Sequence, residues 1–149
     1  MKKIITIWFL CLFFLLTHFS YAEEKFLSLK KNKVNVRYGP SFDSKIKYIY
    51  KRINLPVKQI DKKENFRRII DLKNNSGWIH VSQLKKSNSI IVTNDKILFK
   101  RPSNFSKPLA RLAIGRLLII KKCQKDWCNV TTDNYTGWVK TNNVWGLIK

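Results

Sequence analysis

Cys123 and Cys128 are the residues whose type and spacing most directly suggest chemistry. They bracket Gln124-Lys125-Asp126-Trp127, a polar stretch between two apolar runs. Two thiols so placed can hold a metal, act as nucleophiles, or close on each other. A structural metal needs about four ligands, and only His80 and scattered carboxylates are at hand to complete a set. A thiolate nucleophile needs a base beside it, again His80. If the stretch is a hairpin, cross-strand neighbours lie within the Cα separation of roughly 4.4–6.8 Å that a disulfide spans. A disulfide is therefore expected, stapling the turn that carries Trp127. So short a loop gives less than the ~3 kcal/mol expected of a 15-residue one.

Carboxylates offer little for catalysis. Beyond Glu23-Glu24 they are Asp43, Asp61, Glu64, Asp71, Asp95, Asp126 and Asp133. Glycoside hydrolysis needs two of them roughly 5–9.5 Å apart, and none recurs in a paired context. His80, close after Trp78, is expected on an exposed rim. No catalytic residue, metal or cofactor is expected, and the chain reads as a non-enzyme.

The first 22 residues differ from the rest. Met1-Lys2-Lys3 is basic, Ile4 to Leu16 is apolar except for Thr6, and Thr17 to Ala22 ends in the small residues Ser20 and Ala22. That order is the layout of a cleavable secretory signal, with cleavage expected between Ala22 and Glu23. The apolar run is short of the roughly 20 residues that span a bilayer, although an uncleaved anchor is the alternative. Cys11 follows Leu10, where lipid attachment would want a small residue. Cleavage removes Cys11 and His18 and leaves an even number of cysteines in an exported chain, which favours the disulfide. A periplasmic or secreted location is expected.

The remainder repeats itself. Gly77-Trp78-Ile79 returns as Gly137-Trp138-Val139. Upstream, Val34-Asn35-Val36-Arg37 and then Tyr38-Gly39-Pro40-Ser41 are echoed by Ile97-Leu98-Phe99-Lys100 and Arg101-Pro102-Ser103. Asn65-Phe66-Arg67-Arg68-Ile69 is matched by Asp126-Trp127-Cys128-Asn129-Val130. Short runs rich in β-branched and aromatic residues, bounded by Gly, Pro, Asn or Lys-rich turns, predict strands: Val34–Arg37, Leu55–Asp61, Phe66–Leu72 and Trp78–Val81, then Ile97–Lys100, Leu117–Cys123, Trp127–Thr132 and Trp138–Lys140. Asn74 to Gly77 and Asp133 to Gly137 are expected as hairpin loops. No sustained helical period follows the signal. The expectation is all-β, two small barrels in tandem.

These residues resemble a known family. Val34-Asn35-Val36-Arg37-x-Gly39-Pro40-Ser41 is similar to the opening strand and loop of the bacterial SH3 domain, and Gly77-Trp78-Ile79-x-x-Ser82-x-Leu84 to its closing strand and 3-10 turn. The tandem arrangement resembles a periplasmic family common in alphaproteobacteria. The resemblance implies a signal peptide over 1–22, an SH3-like barrel over 25–84, a linker at 85–89, and a degenerate second barrel over 90–149 that lacks the Gly before Pro102. It also implies a shallow groove lined by aromatics from the first long loop and the middle strand. Here those aromatics are Tyr38, Phe42 and Phe66, and with Arg68 they are the candidate binding residues. Trp78 and Trp138 are expected in the cores, while Tyr48 and Tyr50 divide between core and rim. Phe66 shares a strand face with Arg68, so both point outward if Ile69 points inward.

Charge narrows the partners. Lys and Arg number 30 against 9 Asp and Glu, a net +21 with pI near 10.2, spread evenly over both halves. The abundance of Lys, Asn and Ile is also what an AT-rich genome would impose. As a functional feature, the charge would attract an anionic surface, and export rules out nucleic acid. The resemblance implies a monomeric binding or scaffolding protein of the cell envelope, with peptidoglycan or a wall-associated protein as partner. The alternative is a structural adaptor that pairs with another envelope protein by strand addition.

Overall fold

The computed structural model describes residues Lys25–Gly146. The expected signal segment, 1–22, lies outside the described residues. The described chain is all-β apart from one 3-10 turn. The first barrel is built from β1 (Lys25–Leu29), β2 (Val34–Arg37), β3 (Ile46–Tyr50), β4 (Pro56–Lys63), β5 (Phe66–Ile70), β6 (Ser76–His80), the 3-10 turn Val81–Gln83 and β7 (Leu84–Lys86). The second follows with β8 (Ser89–Val92), β9 (Lys96–Phe99), β10 (Pro108–Leu112), β11 (Leu117–Gln124), β12 (Trp127–Thr132), β13 (Tyr135–Lys140) and β14 (Val144–Trp145).

Strand order is the same in both sheets: β3-β2-β6-β5-β4-β1-β7 and β10-β9-β13-β12-β11-β8-β14. Period-two alternation explains how each closes on its own core. Leu29, Val34, Val36, Val57, Ile69 and Ile79 are fully buried in the first barrel, and Ile90, Val92, Leu98, Leu118, Val130 and Val139 in the second. Hairpin turns carry positive φ at Glu64, Lys125 and Asp133, the conformation that two-residue loops require. A bulge falls at the same place in each barrel, between Gln59 and Asp61 and between Ile120 and Lys122.

Several expectations are corrected in detail. The hairpin loop expected over Asp133 to Gly137 is shorter, because Thr132 pairs directly with Tyr135 and Gly137 lies within β13. The stretch expected as a linker, 85–89, is divided between the barrels: Lys85 and Lys86 belong to β7 and Ser89 opens β8. The repeats align one residue differently. Arg37 pairs with Trp78 and Phe99 with Trp138, so Val36 corresponds to Leu98, Pro40 to Pro102 and Ser41 to Ser103. Burial agrees with this register, since Val36 and Leu98, each one residue before the Trp-paired position, are both fully buried while Ile97 is exposed.

Candidate functional site

In the first barrel, strand register carries a row of side chains across the outer face. Residues paired directly across antiparallel strands project to the same side. Arg37 on β2 pairs with Trp78 on β6, Trp78 with Arg68 on β5, and Arg68 with Asp61 on β4. The next outward row pairs Phe66 with His80. Ile69 is fully buried, so Phe66 and Arg68 do lie on the outer face. Phe66 is nevertheless only 6% exposed, because other side chains cover it.

The cover is Phe42. Its ring meets Phe66 edge-on at 5.2 Å between centroids and His80 at 4.8 Å, while Phe66 and His80 stand 5.1 Å apart. Phe42 is itself 62% exposed, so the cluster has a buried floor and a wet upper surface. Arg37 holds the loop in place: its Nη1 donates to the carbonyls of Phe42 (2.9 Å) and Ser44 (2.7 Å), and its guanidinium lies 5.7 Å from the Phe42 centroid. The loop is tight as well, since a Cβ on Gly39 would stand 2.6 Å from Ser44 Oγ. His80 is fixed by the turn it caps. Nδ1 accepts from the Ser82 backbone N–H at 3.3 Å, which leaves the neutral ring's proton on Nε2.

Tyr38 occupies a different part of the same loop. It is 67% exposed, with the Lys47 ammonium 5.6 Å from its ring centroid. The structure thus joins Phe42 to Phe66, sets Arg68 beside Trp78 on the same face, and places Tyr38 against β3. Trp78 and Trp138 are corrected from core to outer face. Their neighbours Gly77 and Val139 or Ile79 are buried while both indoles are only partly covered, because the residues flanking them in the strand take the inward positions. Three contributors were missed: Arg37, Trp78 and His80. A signal existed for two of them, since pairing the Gly-Trp strand with Phe66–Ile70 puts Trp78 beside Arg68 and His80 beside Phe66.

Tyr48 and Tyr50 form a separate polar corner. Tyr50 Oη donates to Asp71 Oδ2 at 2.9 Å. Asp71, 9% exposed, also accepts from the backbone N–H groups of Lys73 and Asn75 and from Asn75 Nδ2. Burial, with Tyr48 and the Asp71 carboxylate nearby, raises the Tyr50 phenol far above its ordinary range; burial foremost raises Tyr48 as well. The corner is structural: the bonds from Lys73 and Asn75 hold the turn between β5 and β6, and the bond from Tyr50 ties that turn to β3.

Cys123 and Cys128 form a disulfide directly across the β11–β12 ladder, with Cα atoms 4.0 Å apart. Among the described residues, no group of three or more His, Cys, Asp or Glu side chains is placed to hold a metal ion.

A family profile described as "Bacterial SH3 domain" matches residues 30–86 and again 94–146. The chain belongs to the bacterial SH3 domain family. Its two matched segments correspond to the two seven-stranded sheets. No curated protein matches the chain. Among solved structures, the NlpC2 protein from Trichomonas vaginalis is similar over 85% of this chain and 49% of its own, at 13% identity and a TM-score of 0.39. NlpC1 from the same organism is similar over 84% of this chain and 46% of its own, at 13% identity and a TM-score of 0.39. The chain spans about half the length of each. Among the described residues of this bacterial SH3 protein, no helix is long and apolar enough to cross a membrane.

Proposed function

We propose that this chain is a non-catalytic binding module of the cell envelope, recognising peptidoglycan or a wall-associated protein through the outer face of its first barrel. Bacterial SH3 domains generally bind cell-wall components and work outside the cytoplasm, and the sequence carries the layout of an export signal. The observation that carries the reading is the Phe42–Phe66–His80 cluster, flanked on the same face by Arg37, Trp78 and Arg68. An aromatic surface with a fixed buried floor offers contact area at little entropic cost. The arginines add attraction to carboxylates or phosphates that salt would screen.

Retention on purified sacculi across a salt series tests this. Binding should weaken as salt rises, and Phe42→Ala and Arg68→Gln should each lower retention several-fold. No retention at low salt rejects the wall itself as partner. The adaptor reading has one observation in its favour: β3 ends its sheet and exposes Ile46 and Ile49, so its free edge is open to an added strand. That reading expects capture of an envelope protein that is insensitive to salt and to Tyr38→Ala.

A further inference from the structure

The second barrel, although its loop lacks the glycine, is not blank at the corresponding place. Trp127 holds the register position of Phe66, and Lys140, paired with it, holds that of His80. Phe99 stands where Arg37 stands in the first barrel, its ring 5.8 Å from Trp127 and edge-on. The Lys140 ammonium lies 5.6 Å from the Trp127 centroid, and that of Lys122 lies 5.6 Å from the Trp138 centroid. Lys96 reaches the same region, donating to Asn142 Oδ1 at 3.1 Å. Lys96, Lys140, Phe99 and Asn104 help to line a hollow of about 210 Å³ whose wall includes no carboxylate.

The three acids of this barrel do not line that hollow. Asp95 pairs with Arg111 and Asp133 with Arg116, while Asp126 sits in the β11–β12 turn. Burial, and then the like charge of Lys140, lower the pKa of Lys96. Both lysines border the same hollow, and an anion bound there would relieve the repulsion between them.

We propose that the second barrel carries its own site for an acidic saccharide, the sugar ring packing on the Trp127 and Trp138 face and its carboxylate or phosphate received by Lys96 and Lys140. The first barrel's face sets arginines and a histidine beside Phe42, Phe66 and Trp78; this one sets lysines beside Phe99, Trp127 and Trp138. The proposal stands apart from the assignment of the first barrel. Together, two sites on one chain would raise its hold on a polymer through effective concentration, without further contacts.

The test follows the indole N–H signals of Trp127 and Trp138 in the full isotope-labelled chain during titration with N-acetylmuramic acid, glucosamine 6-phosphate and neutral N-acetylglucosamine. At least one acidic sugar should move both signals saturably, with an affinity about tenfold above that of the neutral sugar. Response to the first alone assigns a carboxylate, and response to the second alone a phosphate. The Lys96→Gln, Lys140→Gln double variant should lose that preference, its unchanged amide spectrum elsewhere showing that it folds. Phe42→Ala should leave the titration as it was. Equal response to the neutral sugar, no saturable response to either acidic sugar, preference surviving in the double variant, or loss in Phe42→Ala would each overturn the proposal. Sacculus retention governed by the first barrel can fail without altering any of these outcomes.

Discussion

Ser28 and Ser89, 61 residues apart, share a buried hydrogen bond of 2.8 Å across the seam between the two barrels. Ser89 Oγ spends its proton on the Asn54 carbonyl, so Ser28 is the donor to Ser89, and Ser28 Oγ in turn accepts from the Asn88 backbone N–H. Both serines are fully buried. Close by, the Trp145 indole donates to the Pro56 carbonyl at 3.1 Å and meets the Phe26 ring edge-on at 5.0 Å. At Gly146 a Cβ would stand 2.6 Å from the Ser89 carbonyl. Two small domains joined by a buried chain of hydrogen bonds and an aromatic pair should melt together. Scanning calorimetry of the intact chain should show one transition. Trp145→Ala should cost about 3 kcal/mol and split the melt in two, whereas Trp145→Phe, which loses the hydrogen bond but keeps a ring against Phe26, should cost about 1–2 kcal/mol and keep a single peak.

Gly77 is the place where β6 passes closest to β2. A Cβ there would lie 2.4 Å from Val36 Cγ1 and 3.0 Å from the Arg37 carbonyl, and Val36 is fully buried and cannot step aside. Gly77→Ala should destabilise by about 1–3 kcal/mol through overpacking, read as a lowered urea midpoint. Because Arg37 also fixes the Phe42 carbonyl, the variant should weaken wall retention beyond its loss of stability. Gly115→Ala makes the control. Nothing lies within 4 Å of its Cβ and only its φ of +82° opposes it, so the cost should be about 1 kcal/mol.

The architecture was legible because buried strands here alternate cleanly. Val34 and Val36 or Val130 and Thr132 announce an inward face that needs no tertiary information. Edge strands carried no such signal. In β3, Ile46 and Ile49 are exposed while Tyr48 and Tyr50 are half-covered, a pattern that follows from the polar corner at Asp71, which only the folded chain assembles. The site was half legible. Phe42 and Phe66 could be named from the resemblance, and His80 follows once β6 is paired with β5, but Arg37 belongs to it only through the way β6 joins β2, a non-local pairing that local pattern does not reveal. Barrel two's face was hidden for a similar reason, since reading Lys100 rather than Phe99 as the counterpart of Arg37 moved the aromatic off the surface where Trp127 waits.

The Tyr50–Asp71 corner sets the alkaline limit of the fold. The phenol titrates at its ordinary 10.0 in the unfolded chain and well above it in the folded one. Its folded pKa is raised, so the neutral form is favoured by folding: stability is fully present below about pH 10 and falls as the unfolded state alone releases the proton. Urea midpoints should therefore be flat from neutrality up to that point and then decline. Tyr50→Phe should shallow the decline and, by leaving Asp71 short of one donor, lower stability at neutral pH by about 1–2 kcal/mol.

Reduction of Cys123–Cys128 should loosen one hairpin rather than unfold the protein. The bridge closes a sequence separation of only 5 residues, for which loop entropy contributes about 2 kcal/mol. In the first barrel the matching positions are Lys62 and Arg67, paired by the backbone ladder alone, so the fold does not require a bond there. Cys128 is fully buried and packs in the second core, and a serine would bury an unpaired hydroxyl, so the Cys123→Ala, Cys128→Ala double variant is the cleaner test. Hydrogen exchange should quicken at amides of β11 and β12 near the turn, while those of β4 and β5 keep their protection. Trp127, immediately before Cys128, should lose its fixed place against Phe99 and Lys140. Acidic-sugar binding at the second barrel should therefore weaken on reduction, whereas the Phe42 face of the first barrel should bind as before.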